Sequence, residues 1–287
     1  MDPDSEAEQA ASKILKTSFI TVVFATCHSY HTETTIFPVF THTDINPPDT
    51  TAKNVVVKTA PPKKKKKTIY LTFDDGPNKG TKKVLDIVQQ EQVAVSMFII
   101  GEQVYGSKWQ SAVYDSIKQS NYVELQNHSY THAHSQYEKF YALPDSVVKD
   151  FSRCKDSLGL YSMIVRTPGR NIWRTANISS TDMKKSIAAA DTLQQYGFTA
   201  VGWDLEWHYN NDLQLMNNED EILQQVDSLF THAKTKTPEH LVLLAHDQVY
   251  ADANDSTALH CFIQKLKLKE EYDFEVISKY PGLKSVQ

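Results

Sequence analysis

The chain has 287 residues, 40% hydrophobic and 23% charged, enough for one substantial core and one catalytic domain with some sequence to spare. A net charge of −5 leaves no excess of Lys and Arg to neutralise phosphates, so nucleic-acid partners are not expected. With only Cys27, Cys154 and Cys261, a disulfide framework is excluded and the core must hold the fold together.

Residues 1–27 read as a lipoprotein-type signal segment: Lys13 and Lys16 precede a short apolar run at 19–25, and Cys27 stands where a lipid-accepting cysteine would. That layout predicts export to the periplasm or cell surface, with membrane attachment through lipidated Cys27. The acidic first dozen residues run against it, and a frayed cytosolic N-terminus is the competing reading. No stretch is long enough to span a bilayer as a helix. Residues 28–67 are rich in Thr and Pro and end in Pro61, Pro62 and five lysines, which reads as a solvated tether. His28, His31 and His42 fall inside it and receive no role. The catalytic domain is then 68–287.

Beyond Lys67, β-branched and aromatic runs alternate with stretches of helical spacing, the signature of βα units around a parallel sheet. Seven strands are predicted, at 69–73, 95–100, 122–125, 163–165, 199–203, 241–245 and 274–277. Between them Val84, Leu85 and Val88 share a helical face, Trp109, Val113 and Ile117 recur every four residues, and Gly159 and Gly197 supply helix stops after Leu158 and Tyr196. Seven such units suit a distorted or incomplete βα barrel better than an open doubly wound sheet.

The polar residues that follow these strands are Asp74 and Asp75, His128 and His132, Arg166, Asp204 and Glu206, then His246 and Asp247. In a barrel of parallel strands the C-terminal ends converge on one face, so side chains distant in sequence meet in one cleft. Adjacent carboxylates at the end of an apolar strand, as in Thr72-Phe73-Asp74-Asp75-Gly76, are costly unless a cation or an arginine compensates them. His128 and His132 are spaced to present both imidazoles to one point if the segment makes a helical turn, and two His with one carboxylate form a catalytic zinc set. Singly, an Asp-Asp-Gly can be a turn, a His pair can be surface, and Arg-Thr-Pro-Gly can be a loop. Their shared position at strand ends is what favours function.

These motifs resemble the polysaccharide deacetylase family, carbohydrate esterase family 4, also called the NodB homology domain, over about residues 68–280. Thr72-Phe73-Asp74-Asp75-Gly76 and Asn127-His128-Ser129-Tyr130-Thr131-His132 carry most of the resemblance, with Arg166-Thr167-Pro168 and Leu244-Ala245-His246-Asp247 adding to it. It implies a distorted (β/α)7 barrel and a metal-dependent hydrolase that removes N-acetyl groups from a peptidoglycan or chitin-like polymer. It also implies that Asp75, His128 and His132 bind one divalent ion, Zn2+ first, with Co2+, Ni2+ or Mn2+ as alternatives. Asp74 would be the general base tethered by Arg166, His246 the general acid, and Leu244 part of a pocket for the acetyl methyl. The partner is an acetylated polysaccharide or oligosaccharide, acted on by a monomer.

Two departures from the family pattern stand out. Gly169 replaces the aromatic residue usual after the third-motif proline, so one wall of the site is expected to be open, with the Gly169 N–H available to an oxyanion. The fourth motif, usually ending Asp-Trp, reads Trp203-Asp204-Leu205-Glu206-Trp207, and Glu206 is favoured over Asp204 to orient Arg166 or His246 because it directly precedes Trp207. Trp203 and Trp207 suit sugar stacking or core packing equally. His134 is expected as a loop neighbour of the metal pair and Trp173 in the core, while His208 could touch substrate although nothing in its spacing demands it. The alternatives are an O-acetyl (xylan) esterase or another amide hydrolase on the same fold, or a sugar-binding module without activity.

Overall fold

The computed structural model describes residues 66–283. The segment predicted as a signal, with Cys27, and the part of the predicted 28–67 tether before Lys66 lie outside the described residues.

Strand β1 (Lys67–Gly76) explains the architecture. Ile69, Leu71 and Phe73 face outward into a cluster shared with helical residues such as Val84, Leu85 and Val88, while Tyr70 faces inward with Phe98, Trp173 and Val242. A strand buried on both faces must be apolar almost throughout, which is why 69–73 is a continuous hydrophobic run and not an alternating one.

Around β1 lie β2 (Val95–Ile99), β3 (Val123–Asn127), β4 (Ile164–Val165), β5 (Ile172–Arg174), β6 (Ser179–Thr181), β7 (Thr199–Ala200), β8 (Leu205–Glu206), β9 (His240–His246) and β10 (Tyr272–Phe274). Their order is β6-β5-β7-β4-β3-β2-β1-β9-β8, with β10 paired to the start of β1. β5 runs antiparallel to β6 and β7, and the other pairings are parallel. The result is a curved mixed sheet, a half-barrel with helices outside.

The seven predicted strands are all present, with shifted ends, and three more join them. β5, β6 and β8 are two or three residues long, too short for any period to register. The last predicted strand sits earlier, at β10, and Ile277–Lys279 is instead a 3-10 turn.

Among the described residues, eight helices pack around the sheet: α1 (Lys79–Glu91), α2 (Gly101–Val104), α3 (Lys108–Lys118), α4 (Tyr137–Tyr141), α5 (Pro144–Leu158), α6 (Ile187–Gln195), α7 (Glu219–Thr231) and α8 (Ala253–Leu268). Asn78 and Asn218 cap α1 and α7 with reciprocal capping boxes, each contributing about 1 kcal/mol. α5 stops at Gly159, whose φ of 62° is a left-handed conformation that glycine takes without steric cost. No helix among the described residues is long and apolar enough to cross a membrane.

Register places the site. Tyr70, Thr72 and Asp74 on β1 pair with Val242, Leu244 and His246 on β9. The period of two then puts Tyr70 and Val242 deep inside, Thr72 and Leu244 above them, and Asp74 beside His246 at the C-terminal rim.

Candidate active site and metal centre

In a regular strand Asp74 and Asp75 would point to opposite faces. Here β1 slips register against β2 between Asp74 and Gly76, and Asp75 takes a φ of 76°, so both carboxylates reach one cleft. A left-handed aspartate costs on the order of 1–3 kcal/mol, and such strain gathers at functional positions.

Arg166, fully buried just past β4, neutralises Asp74. Its Nη1 donates to Asp74 Oδ1 at 2.9 Å and to Thr72 Oγ1 at 2.7 Å, Nη2 donates to the Gly202 carbonyl at 3.1 Å, and Nε to the Val201 carbonyl at 3.2 Å. The guanidinium also lies 4.1 Å from the centre of the Phe98 ring. With its donors committed, the group is fixed and so is the carboxylate it holds.

His128 follows β3, and His132 opens a 3-10 turn. The two imidazoles meet, ring centres 5.0 Å apart, but not by the helical turn anticipated from their spacing. Ser129 and His132 have φ of 67° and 49°, and the loop is tied down by Asp150, which accepts from the Tyr130 and Thr131 N–H groups, and by Ser129 Oγ, which accepts from the His132 N–H. A kinked loop with buried anchors does here what a helix face would have done.

The donor set suits a cation. Nδ1 of His128 lies 2.9 Å from the Arg166 carbonyl, an acceptor only, so Nδ1 carries the proton and the neutral ring turns a lone pair out at Nε2. That lone pair faces Asp75 Oδ1 at 3.4 Å, and His132 Nε2 lies 3.2 Å from the same oxygen. Asp75 Oδ1 is buried with no hydrogen-bond partner among the described residues. A mostly buried carboxylate oxygen facing two imidazole nitrogens is a set that a cation can bridge. The three ligand atoms lie within 4.8 Å of each other, and Asp75, His128 and His132 form the one such cluster among the described residues.

The titration directions show the same pull of the carboxylates for positive charge. Burial alone would raise Asp75, yet His128 and His132 hold it well below the usual carboxylate range. Burial alone would depress His128, yet Asp74, Asp75 and the Arg166 carbonyl push it up. Burial pushes Asp247 up to about 8, with Asp75 and Asp74 adding to the effect, although Thr81 and Asn78 donate to its oxygens.

The cleft above these residues holds about 560 Å³ and is also lined by Leu244, His246, Gly169, Trp203, Glu206 and His208. Several expectations need correcting. Glu206 makes no hydrogen bond or ion pair with Arg166 or His246, because it turns toward His208, whose Nδ1 lies 3.4 Å away. Asp204 faces away from the chemistry, accepting from the backbone N–H groups of Lys236 and Val242 at 2.6 and 2.8 Å. Trp207 is fully buried against Tyr250 and Phe262, with its indole N–H given to the Asn217 carbonyl, so it is core and cannot stack on sugar. Trp203 alone reaches the cleft. His134 points outward to Glu102 at 3.1 Å. Trp173 is core.

The wall at Gly169 is closed. Tyr137, at the start of α4, lies so near that a Cβ on Gly169 would meet the ring at 3.0 Å. The same ring stands edge-on to His132, centres 5.8 Å apart. Tyr137 and, across the cleft, Tyr209 are site residues that sequence reasoning missed, since neither ends a strand.

The family model for polysaccharide deacetylases matches residues 62–168. YheN of Bacillus subtilis strain 168, named for the polysaccharide deacetylases, is 30% identical over 220 residues, covering 74% of this chain and 67% of that protein. The peptidoglycan-N-acetylglucosamine deacetylase of Bacillus cereus is 28% identical over 225 residues, covering 76% of this chain and 73% of its own. The solved catalytic domain of a peptidoglycan N-acetylglucosamine deacetylase from Eubacterium rectale shares the fold with a TM-score of 0.55 at 19% identity, covering 81% of this chain and 97% of that one. The chain belongs to the polysaccharide deacetylase family, carbohydrate esterase family 4. That family is metal-dependent, and the Asp-His-His cluster is this chain's candidate metal site.

Proposed function

We propose that the chain removes N-acetyl groups from the amino sugars of an extracellular polysaccharide, peptidoglycan or a chitin-like polymer, with one divalent ion, zinc first, held by Asp75, His128 and His132. The observation that carries this reading is the unpartnered Asp75 Oδ1 facing two imidazoles while the adjacent Asp74 is held by Arg166. Export and lipid attachment through Cys27 belong to the same proposal, since the polymer lies outside the cell.

An ion at this site would polarise the acetyl carbonyl and make water acidic enough to deprotonate near neutral pH. Asp74, fixed by Arg166 through Oδ1, keeps Oδ2 for the proton of the attacking water. The backbone N–H of Gly169, on the cleft wall, is available to the oxyanion as water oxygen bonds to the carbonyl carbon. His246 gives a proton to the sugar nitrogen as the carbon–nitrogen bond breaks, leaving acetate and a free amine. Proton transfer of this kind is worth about 10² to 10⁴ in rate. Leu244, on the cleft floor, faces the methyl.

Acetate release from acetylated chito-oligosaccharide, peptidoglycan and acetylxylan, with and without chelator, tests the reading. Release from the amino sugars that stops on chelation and returns with Zn2+ is expected. Release from acetylxylan alone would make the chain an ester hydrolase, and sugar binding without release would make it a binding module.

A further inference from the structure

The wall of the cleft opposite Tyr137 is a loop that carries no motif. Residues 208–216 fold back on themselves: the Asn210 N–H donates to the Gln214 carbonyl at 2.9 Å and the Met216 N–H to the His208 carbonyl at 3.0 Å. Asn210 Oδ1 accepts in turn from the N–H groups of Asp212 and Gln214 at 2.9 and 3.0 Å. A loop bonded to itself holds its shape before any ligand arrives, so what it presents is preorganised.

What it presents is Tyr209. The ring stands against His246, centres 5.1 Å apart at 65°. The phenol oxygen accepts from Gln248 Nε2 at 3.0 Å, and Gln248 lies just past His246. A phenol that accepts from an amide still has its own proton to give, and no acceptor among the described residues takes it. Burial first, then Asp75 and Glu206, keep that phenol above its ordinary pKa, so it stays a neutral donor. His246 itself has Nδ1 buried with no hydrogen-bond partner among the described residues, so no carboxylate orients it and the Tyr209 ring is what packs on it.

We propose that Tyr209 is a substrate-binding residue whose O–H donates to a hydroxyl or ether oxygen of the sugar chain, while its ring backs His246, so that seating the sugar brings the scissile nitrogen to the acid. The proposal rests on the amino-sugar reading above. Sugar chains are dense in oxygen acceptors on rigid rings, and a fixed phenol with the exposed Asn211 and Leu213 beside it in the lining offers complementary chemistry.

The test measures binding apart from turnover. In an Asp74→Asn background, so that the sugar is not consumed, titration calorimetry with N-acetylchitotetraose compares Tyr209, Tyr209→Phe and Tyr209→Ala in zinc-loaded protein. Phe keeps the ring but removes both the proposed bond to sugar and the one accepted from Gln248, so Kd should weaken about fivefold with metal content unchanged. With Asp74 restored, Tyr209→Phe should act on KM more than on kcat, whereas Tyr209→Ala should lower kcat about tenfold as well, because His246 loses its backing. A Tyr209→Phe variant that binds as tightly as its parent overturns the proposal while acetate release by the intact chain leaves the amino-sugar reading standing. An intact chain that neither binds the tetrasaccharide nor releases acetate overturns both.

Discussion

The two walls of the cleft are built differently. On one side Asp74, Asp75, His128 and Arg166 sit at strand ends, deeply buried and bound to one another or to backbone. On the other, His208 is exposed, Glu206, Tyr209 and His246 are half-buried, Tyr209 and His246 meet by a ring contact, and Glu206 pairs with His208. The first wall is a rigid frame for charge, and the second a surface for a ligand. Breaking the buried ion pair of the first wall should therefore damage folding and chemistry together, whereas substitutions at His208 or Tyr209 on the second should chiefly move substrate affinity.

Arg166→Met is the sharpest way to break the contrast. It leaves Asp74 buried without its partner, an arrangement that costs about 3–5 kcal/mol, so both the denaturant midpoint and acetate release should collapse. A variant with near-native stability would show that the frame does not depend on this pair. Next come the two tryptophans. Trp207→Ala empties a core position and should cost about 3–5 kcal/mol, while Trp203→Ala at the cleft should leave the midpoint nearly unchanged and raise KM. Equal effects on stability would erase the distinction between core and wall.

Gly169→Ala comes third. The added methyl meets Tyr137 at 3.0 Å and a φ of 61° disfavours it, so kcat/KM should fall about tenfold with a stability loss of about 1 kcal/mol. Adding Tyr137→Ala should restore part of the rate, which a purely conformational effect would not allow.

A fourth expectation is a slope with pH. Asp247 titrates at about 8 in the fold and near 4 in the unfolded chain. Between those values the unfolded chain has lost a proton that the fold retains, so stability falls as pH rises and levels off above about 8. In chelator-treated protein, Asp247→Asn should flatten Tm between pH 5 and 8. An unchanged slope would place the titration elsewhere.

The same contrast explains what the sequence made legible. Asp74, Asp75, His128, Arg166 and His246 could be read because strand period and parallel pairing send strand ends to one rim, whatever the loops do. The Asp-Asp pair could be read as needing a positive partner, though not the left-handed Asp75 that lets both carboxylates face the cleft. The partner of Glu206, and the choice between packing and stacking at Trp207, could not be read because two-residue β8 shows no period, and a single step along it separates cleft from core. Tyr137 and Tyr209 left no signal, since a helix start and a self-bonded loop obey no rule that points their side chains inward.

The most direct test is metal stoichiometry by elemental analysis of the purified chain and two neighbouring variants. Asp74→Asn should retain about one divalent ion per chain, as the unaltered protein does, while Asp75→Asn should retain almost none. If Asp75→Asn kept its ion, or Asp74→Asn lost it, the division of labour between the two aspartates would be contradicted.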